Sequence, residues 1–255
     1  LPEPDRKRAL TVAATISGRP AHLLEKDVWV VWCLRALFES AIAGDLVFKG
    51  GTSLSKVYDV IHRFSEDVDL TYSIRAMVPD LAGGVGGQEA LPRTRSEEKR
   101  WSGEIRRRLP VWVAEHALPI VQKRLVEDGV PAQATAARCN ILVDYKPLAV
   151  GTSYSPPTVK LEFGARSTGE PSAVHDVSCD ADGLVQGASF PRARPKVMRA
   201  ERTFWEKATA AHVFCLQGRL RSERFSRHWH DLARLDAAGI AAAAIADEAL
   251  ATAVA

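Results

Sequence analysis

Two aspartates, Asp67 and Asp69, stand two residues apart in the run RFSEDVDLTY. The run alternates as a strand does, so both carboxylates point one way while Val68 and Leu70 point into a core. Two acids so spaced form half a metal site, and Mg²⁺ or Mn²⁺ suits all-oxygen ligation of this kind and also binds substrate phosphates. Upstream, Lys49-Gly50-Gly51-Thr52-Ser53 joins an apolar strand to a helix start. Glycine permits close backbone approach there, and the free N–H groups of the helix start, with the Thr52 or Ser53 hydroxyl, can hold the β and γ phosphates of a nucleotide. Each half has a plainer reading: a D-x-D strand is commonly a solvated edge, and a Gly-Gly before a helix is commonly just a turn. A hairpin-like return between them would bring phosphates and metal ions together, which is what phosphoryl transfer from an NTP requires.

The elements that must hold these residues follow from periodicity. From His22 to Ala43 apolar residues recur at helical spacing with no Gly or Pro, predicting a helix. DLVFKGGTSLSKVYDV reads as strand, turn and helix, and RFSEDVDLTY as a second strand. Met77 to Pro92 turns to Gly, Ala and Pro and is expected to be a flexible loop. A long charged amphipathic helix is expected from Ser96 to Asp128, with breaks near Pro110 and Pro119. RCNILVDY and TVKLEF read as strands, with a weaker one near Val174 to Cys179. PRARPKVM is expected to be a basic loop, followed by a helix from Glu201 to Leu216, another from near Arg227, and a helical Ala-rich end from Ala237. The predicted class is α+β: a mixed sheet flanked by helices, with a helical C-terminal part.

The bulk numbers set limits. The chain has 255 residues, 46% hydrophobic and 25% charged, enough to bury a real core. The net charge of +3 is small, but ten Lys or Arg against three Glu between Arg192 and Arg227 make that window +7. Cys33, Cys139, Cys179 and Cys215 lie far apart with no zinc-ligand spacing, so a reduced, cytoplasmic protein is expected. No apolar run is long enough to span a membrane, and no membrane partner is expected. The sequence does not begin with Met, so residues can be missing before Leu1.

GGTSLSK followed by RFSEDVDL resembles the signature of the AbiEii/AbiGii-type toxin family, a branch of the polymerase β-like nucleotidyltransferases that includes the mycobacterial MenT toxins. Fourteen residues separate Thr52 from Asp67, slightly more than that family's usual gap, which leaves open whether Thr52 or Ser53 takes the serine role. Three further segments are similar to the family: EKDVWVVWCLRALF before the Gly-Gly turn, VKLEFGARS as its later strand, and ERTFWEKATAAH with RHWHDLARL as its C-terminal signature. The resemblance implies a nucleotidyltransferase core over residues 1–198, with a leading helix and a helical insertion at about 77–136, and a helical region 199–255 completing the active site.

It also implies roles. Glu162 becomes the third carboxylate of the metal site, although a structural Lys160-Glu162 pair would explain it equally. Lys207, one turn into its helix, becomes a phosphate ligand, against the plain reading of a surface lysine. Asp231 supports Lys207 or the nucleotide, or else caps a helix. Trp205 and Trp229 are expected to pack rather than stack on a base, and Lys26 and Asp27 to be structural. The implied reaction is transfer of an NMP from an NTP, with Mg²⁺ or Mn²⁺, to an acceptor such as the 3′ end of tRNA or another RNA. The implied setting is a toxin-antitoxin or phage-defence system with a cognate antitoxin protein. The rivals are a metal-dependent nuclease and a non-catalytic module that binds nucleotide or protein on the same fold.

Overall fold

A computed structural model describes residues 2–63, 67–86, 90–151, 155–217 and 223–254. In chain order the elements are α1 (Glu3–Ser17), α2 (Ala21–Phe38), β1 (Leu46–Lys49), α3 (Gly50–Lys56), β2 (Asp67–Tyr72), α4 (Ile74–Met77), α5 (Pro79–Ala82), α6 (Arg95–Trp112) and α7 (Leu118–Glu127). There follow β3 (Ala132–Ala137), β4 (Asn140–Tyr145), β5 (Thr158–Gly164), β6 (Ser172–Val174), β7 (Val177–Ser178), β8 (Arg192–Ala193) and β9 (Lys196–Met198). The chain closes with α8 (Ala200–Leu216), α9 (Glu223–Ala237), α10 (Ile240–Ala246) and α11 (Glu248–Val254).

The main sheet runs β3-β4-β5-β2-β1-β9-β6 and is mixed, as expected. β1 and β2 are antiparallel, whereas β2 pairs with β5, and β1 with β9, in parallel. One face is apolar: Phe48, Val68, Leu70, Ile141, Val143 and Leu161 are all within 1% of full burial and join the α2 residues Trp29, Val30, Cys33 and Leu34 in the main core. Burying these side chains against a helix is what orients the sheet, and the period of two then turns Lys49, Asp67, Asp69 and Glu162 to the opposite face.

The helical segment from α6 to α7 joins that core by a stripe at every fourth residue, Trp101, Ile105, Leu109, Val113, Ala117, Val121 and Leu125. A repeat of four exceeds the 3.6 of an α-helix and would rotate the stripe away from the sheet. A π-helical turn over Val113–Ala117 accommodates the excess, so the expected breaks at Pro110 and Pro119 become one widened turn between the two prolines.

Several expectations need correcting. PRARPKVM is not a loop: it carries β8 and β9, and β9 sits in the sheet beside β1. The stretch after Met77 is not simply flexible, since α5 forms there and Val78, Ala82 and Ala90 are buried. The helix expected from His22 to Ala43, α2, stops at Phe38. α1 and β3 carry weak apolar patterns and had no sequence signal. Residues 64–66, the start of the RFSEDVDL run, lie outside the described residues. No helix among the described residues is long and apolar enough to cross a membrane.

Candidate active site

The register places Lys49 of β1 opposite Asp69 of β2, and Asp69 beside Glu162 of β5. Gly50 follows directly, with φ +79°, a left-handed conformation that glycine adopts without strain. A Cβ built on Gly50 would overlap the Asp69 Oδ2 and stand 2.7 Å from its Cγ. The carboxylate of the acid strand therefore rests directly on the backbone of the Gly-Gly turn. The two motifs read separately from the sequence are one structure.

Asp69 makes no hydrogen bond or ion pair with a described residue. Its surface is partly open, yet it is set among protein atoms. Burial pushes its carboxyl up to about 6; the charge of Lys49 works against this, Glu162 and Asp67 add to it, and Lys207 works against it. A withdrawn acid with acid neighbours and no hydrogen-bond donor gains from any cation that reaches it. Asp67 and Asp69 offer oxygen donors alone on one strand face, which fits a hard divalent cation. Among the described residues, no three His, Cys, Asp or Glu side chains gather into a metal-holding group. Glu162, the expected third acid, faces the same way but is ion-paired with Lys160.

The turn itself is tightly held. Thr52 is 1% exposed and donates its hydroxyl to the Asp67 carbonyl; Ser53 is fully buried and donates to the Gly50 carbonyl at 2.9 Å. The Thr52 hydroxyl thus braces the turn against β2, and the Ser53 hydroxyl closes the turn on itself. At the far end of α3, Lys56 is clamped by Asp27 and by Asp180 at 2.6 Å. Burial works against the Lys56 charge, but the two carboxylates outweigh it and hold its pKa up. Lys26 is likewise engaged, donating to Ser155 at 3.2 Å and to the Pro156 carbonyl at 2.9 Å, so the Lys26-Asp27 pair is structural, as expected. A small cluster of Leu54, Val60, Ile61, Ala200 and Leu235 fastens α3 to the C-terminal helices.

Those helices bring the second group of predicted residues. Lys207 donates to Asp231 at 2.9 Å, and Arg63 grips the same carboxylate through Nε at 3.3 Å and Nη2 at 3.0 Å. Burial alone would raise the Asp231 carboxyl, but the hydrogen bond from Arg63 and the charge of Lys207 prevail and hold it below its usual value. Asp231 is 0% exposed and lies two turns into α9, so the helix-cap reading fails. α8 begins at Ala200, which puts Lys207 near the end of the second turn rather than the first. Its side chain is only 12% exposed, which also removes the surface-lysine reading. Burial, with the Lys207 charge, pushes His228 down, so it is neutral near pH 7.

Three participants were given no role in the sequence reading. Lys49 pairs with Glu206 at 2.6 Å, and Arg63 completes the clamp on Asp231. Strand phase could have found Lys49, which shares the face of Asp69. Arg63 and Glu206 gave no such signal, because their partners lie on distant segments. Trp205 donates its Nε1–H to the Ala244 carbonyl at 3.0 Å and packs as expected, whereas Trp229 is 50% exposed. The basic window is also quieter than its sum: Arg192, Arg194, Lys196, Arg199, Arg202 and Lys207 each have an acidic partner. On α6, Arg107 and Arg108 are paired with Glu104, and Arg108 also with Asp80.

The model of the family described as "Nucleotidyl transferase AbiEii toxin, Type IV TA system" matches residues 32–255. The chain belongs to the AbiEii nucleotidyltransferase toxin family. The match covers every predicted site residue of this AbiEii chain, from Gly50 to Asp231. Among solved structures it is similar to MenT4, a nucleotidyltransferase toxin of Mycobacterium tuberculosis H37Rv, with 18% identity and a TM-score of 0.39. That similarity covers 80% of this chain and 58% of MenT4, so the AbiEii chain spans little more than half of that protein's length, and the likeness by itself carries no functional weight. No curated protein matches the sequence.

Proposed function

We propose that this protein is a divalent-metal-dependent nucleotidyltransferase that moves an NMP from an NTP to an RNA acceptor, the 3′ end of tRNA being the first to test, and that it acts as a toxin opposed by a cognate antitoxin protein. The observation that carries this reading is the contact between Gly50 and the unpaired carboxylate of Asp69. A triphosphate lying on the Gly-Gly turn would then meet the acids without any rearrangement of the backbone.

Asp67 and Asp69 would hold Mg²⁺ or Mn²⁺, which when bound neutralises the triphosphate and polarises the phosphorus under attack. Glu162, beside Asp69 in the sheet, would complete the acid set and accept the proton of the acceptor hydroxyl once released from Lys160. Gly50, Gly51, Thr52 and Ser53 would form the floor under the phosphates. Lys207, whose charge already acts on Asp69, would neutralise the triphosphate, with Asp231 and Arg63 as positioning residues that aim it. In this reading residues 1–198 carry the transferring core, with the helical insertion at about 77–136, and 199–255 close the site from the other side.

Incubating purified protein with total tRNA, Mg²⁺ and each α-labelled NTP tests the proposal directly. Label should appear on RNA with at least one NTP and disappear with Asp69→Asn; no label with any NTP would sink it. RNA shortened without added NTP would instead indicate a nuclease. The Lys160-Glu162 pair, which leaves two acids free rather than three, favours a second reading as a non-catalytic binding module. Nucleotide binding without turnover, indifferent to loss of Asp69, would establish that one.

A further inference from the structure

On the helix-covered face of the sheet, between α1, α2 and the segment before β8, lies a cavity of about 460 Å³. Trp29, in its wall, stacks on Tyr145 at 5.1 Å, and Tyr145 is in phase with Ile141 and Val143 on the apolar side of β4. The sheet therefore stands between this cavity and Asp69. Six lining residues, Arg6, Ala9, Leu10, Glu25, Val28 and Trp29, precede residue 32, where the family match begins. The cavity is thus walled on one side by the part of the chain outside the family match.

Its polar groups are unevenly satisfied. Asp128 accepts from Trp32 Nε1 at 2.8 Å, from Arg35 Nη2 at 2.8 Å and from Arg124 Nε at 3.1 Å. Glu25 accepts from the amides of Leu148 at 2.8 Å and Ala149 at 3.1 Å. The carboxylates in the wall are occupied, whereas two arginine Nε donors are not. Among the described residues Arg6 makes no side-chain hydrogen bond or ion pair, although its charge acts on Glu25, and its Nε is enclosed without a partner, as is the Nε of Arg35, whose Nη2 is held by Asp128. An arginine Nε–H enclosed without an acceptor is unfavourable, and an oxyanion in the adjoining space would relieve it. The volume falls within the roughly 300–1,000 Å³ of small-molecule sites. Two arginines against two carboxylates leave the wall with no net charge, which matches a single negative charge better than the several of a triphosphate.

We propose that this cavity binds a small amphipathic oxyanion, one carboxylate or phosphate head set on Arg6 and Arg35, with a compact apolar body against Val28, Trp29 and Trp32. The site is separate from the reaction centre and does not depend on the reading of that centre.

Phenylacetate and phenyl phosphate serve as probes of the two head groups, with neutral phenylacetamide as control. The full chain is titrated with each while the indole N–H signals of Trp29 and Trp32 and the melting temperature are followed. Saturable movement of those two indoles at millimolar concentration is expected for at least one anion, the tighter one identifying the head, with phenylacetamide weaker by tenfold or more. Arg6→Gln should weaken the anion at least tenfold without lowering the unliganded melting temperature, because Arg6 has no hydrogen bond to lose and its enclosed Nε is removed. Ala9→Phe, which fills the cavity, should abolish binding, and Asp69→Asn should leave it intact. No saturable movement, equal affinity for acid and amide, indifference to both Arg6→Gln and Ala9→Phe, or competition by Mg²⁺-NTP would each overturn the assignment.

Discussion

Asp69 and Asp231 are both withdrawn from water at the same site, yet their surroundings are opposite. Asp231 is gripped by Arg63 and Lys207, and those partners keep it ionised. Asp69 has no donor, rests on the bare Cα of Gly50, and is pushed up to about 6 by burial. A paired buried acid organises its neighbours, whereas an unpaired one stores an unfavourable charge that a cation can relieve. The contrast separates the group proposed to act from the group that aims, and it can be attacked from either side.

The largest effect is expected on transfer. Asp69→Asn should reduce labelling of RNA to background while circular dichroism and gel filtration remain those of the wild type. An active Asp69→Asn protein would erase the functional half of the contrast. The next effect is on stability: Asp231→Ala leaves Lys207 and Arg63 facing each other without their acid, and should lower unfolding free energy by about 3–5 kcal/mol in denaturant titrations. Asp231→Asn, which keeps an acceptor, should lose less.

Gly50→Ala places a methyl group where the Asp69 carboxylate lies, in a left-handed conformation besides, and should cost about 2–4 kcal/mol. In an Asp69→Ala background part of that cost should vanish, giving a coupling of about 1–2 kcal/mol in the double-mutant cycle. Additive losses would mean that the two motifs do not touch.

The smallest effect is the sharpest in sign. In metal-free buffer, Asp69→Asn should stabilise the protein by about 1–3 kcal/mol at pH 7, because the wild-type carboxyl must ionise against its surroundings. Its folded pKa of about 6 lies above the ordinary aspartate value of 3.8, so the native state holds the extra proton between these values. The contribution of Asp69 therefore falls as pH rises through that window and levels off above it. Asp231 runs the other way: its pKa is depressed, so its stabilisation is present above the unfolded value and is lost as pH falls through the folded one. Chemical unfolding of the two Asn variants across pH separates these slopes.

Much of the frame was legible because local periodicity reported it. The strands around Phe48 and Asp69, the Gly-Gly turn and the FWEK helix all announced themselves by alternation, glycine or helical spacing. Less legible were short segments whose state depends on a neighbour. β9 is three residues long and becomes a strand only because β1 offers it an edge, so PRARPKVM looked like a basic loop. The break expected near Pro110 and Pro119 became a π turn because the stripe from Trp101 to Leu125 had to stay on the core. Lys160 and Glu162 were correctly placed on one face, but whether they join each other or a metal site was not a property of their spacing.

By itself the sequence determined which residues share a face: alternation in β1, β2 and β5 follows from the backbone and survives any packing. It also determined that a glycine stands where the chain bends beside the acids. Only the tertiary structure decided which charges are satisfied. Asp69 received no donor, Asp231 received two, and Arg6 was left facing a cavity, because each partner or its absence is supplied by segments far away in the chain. Electrostatic energy depends on those distances and on excluded water, and neither is written in local order.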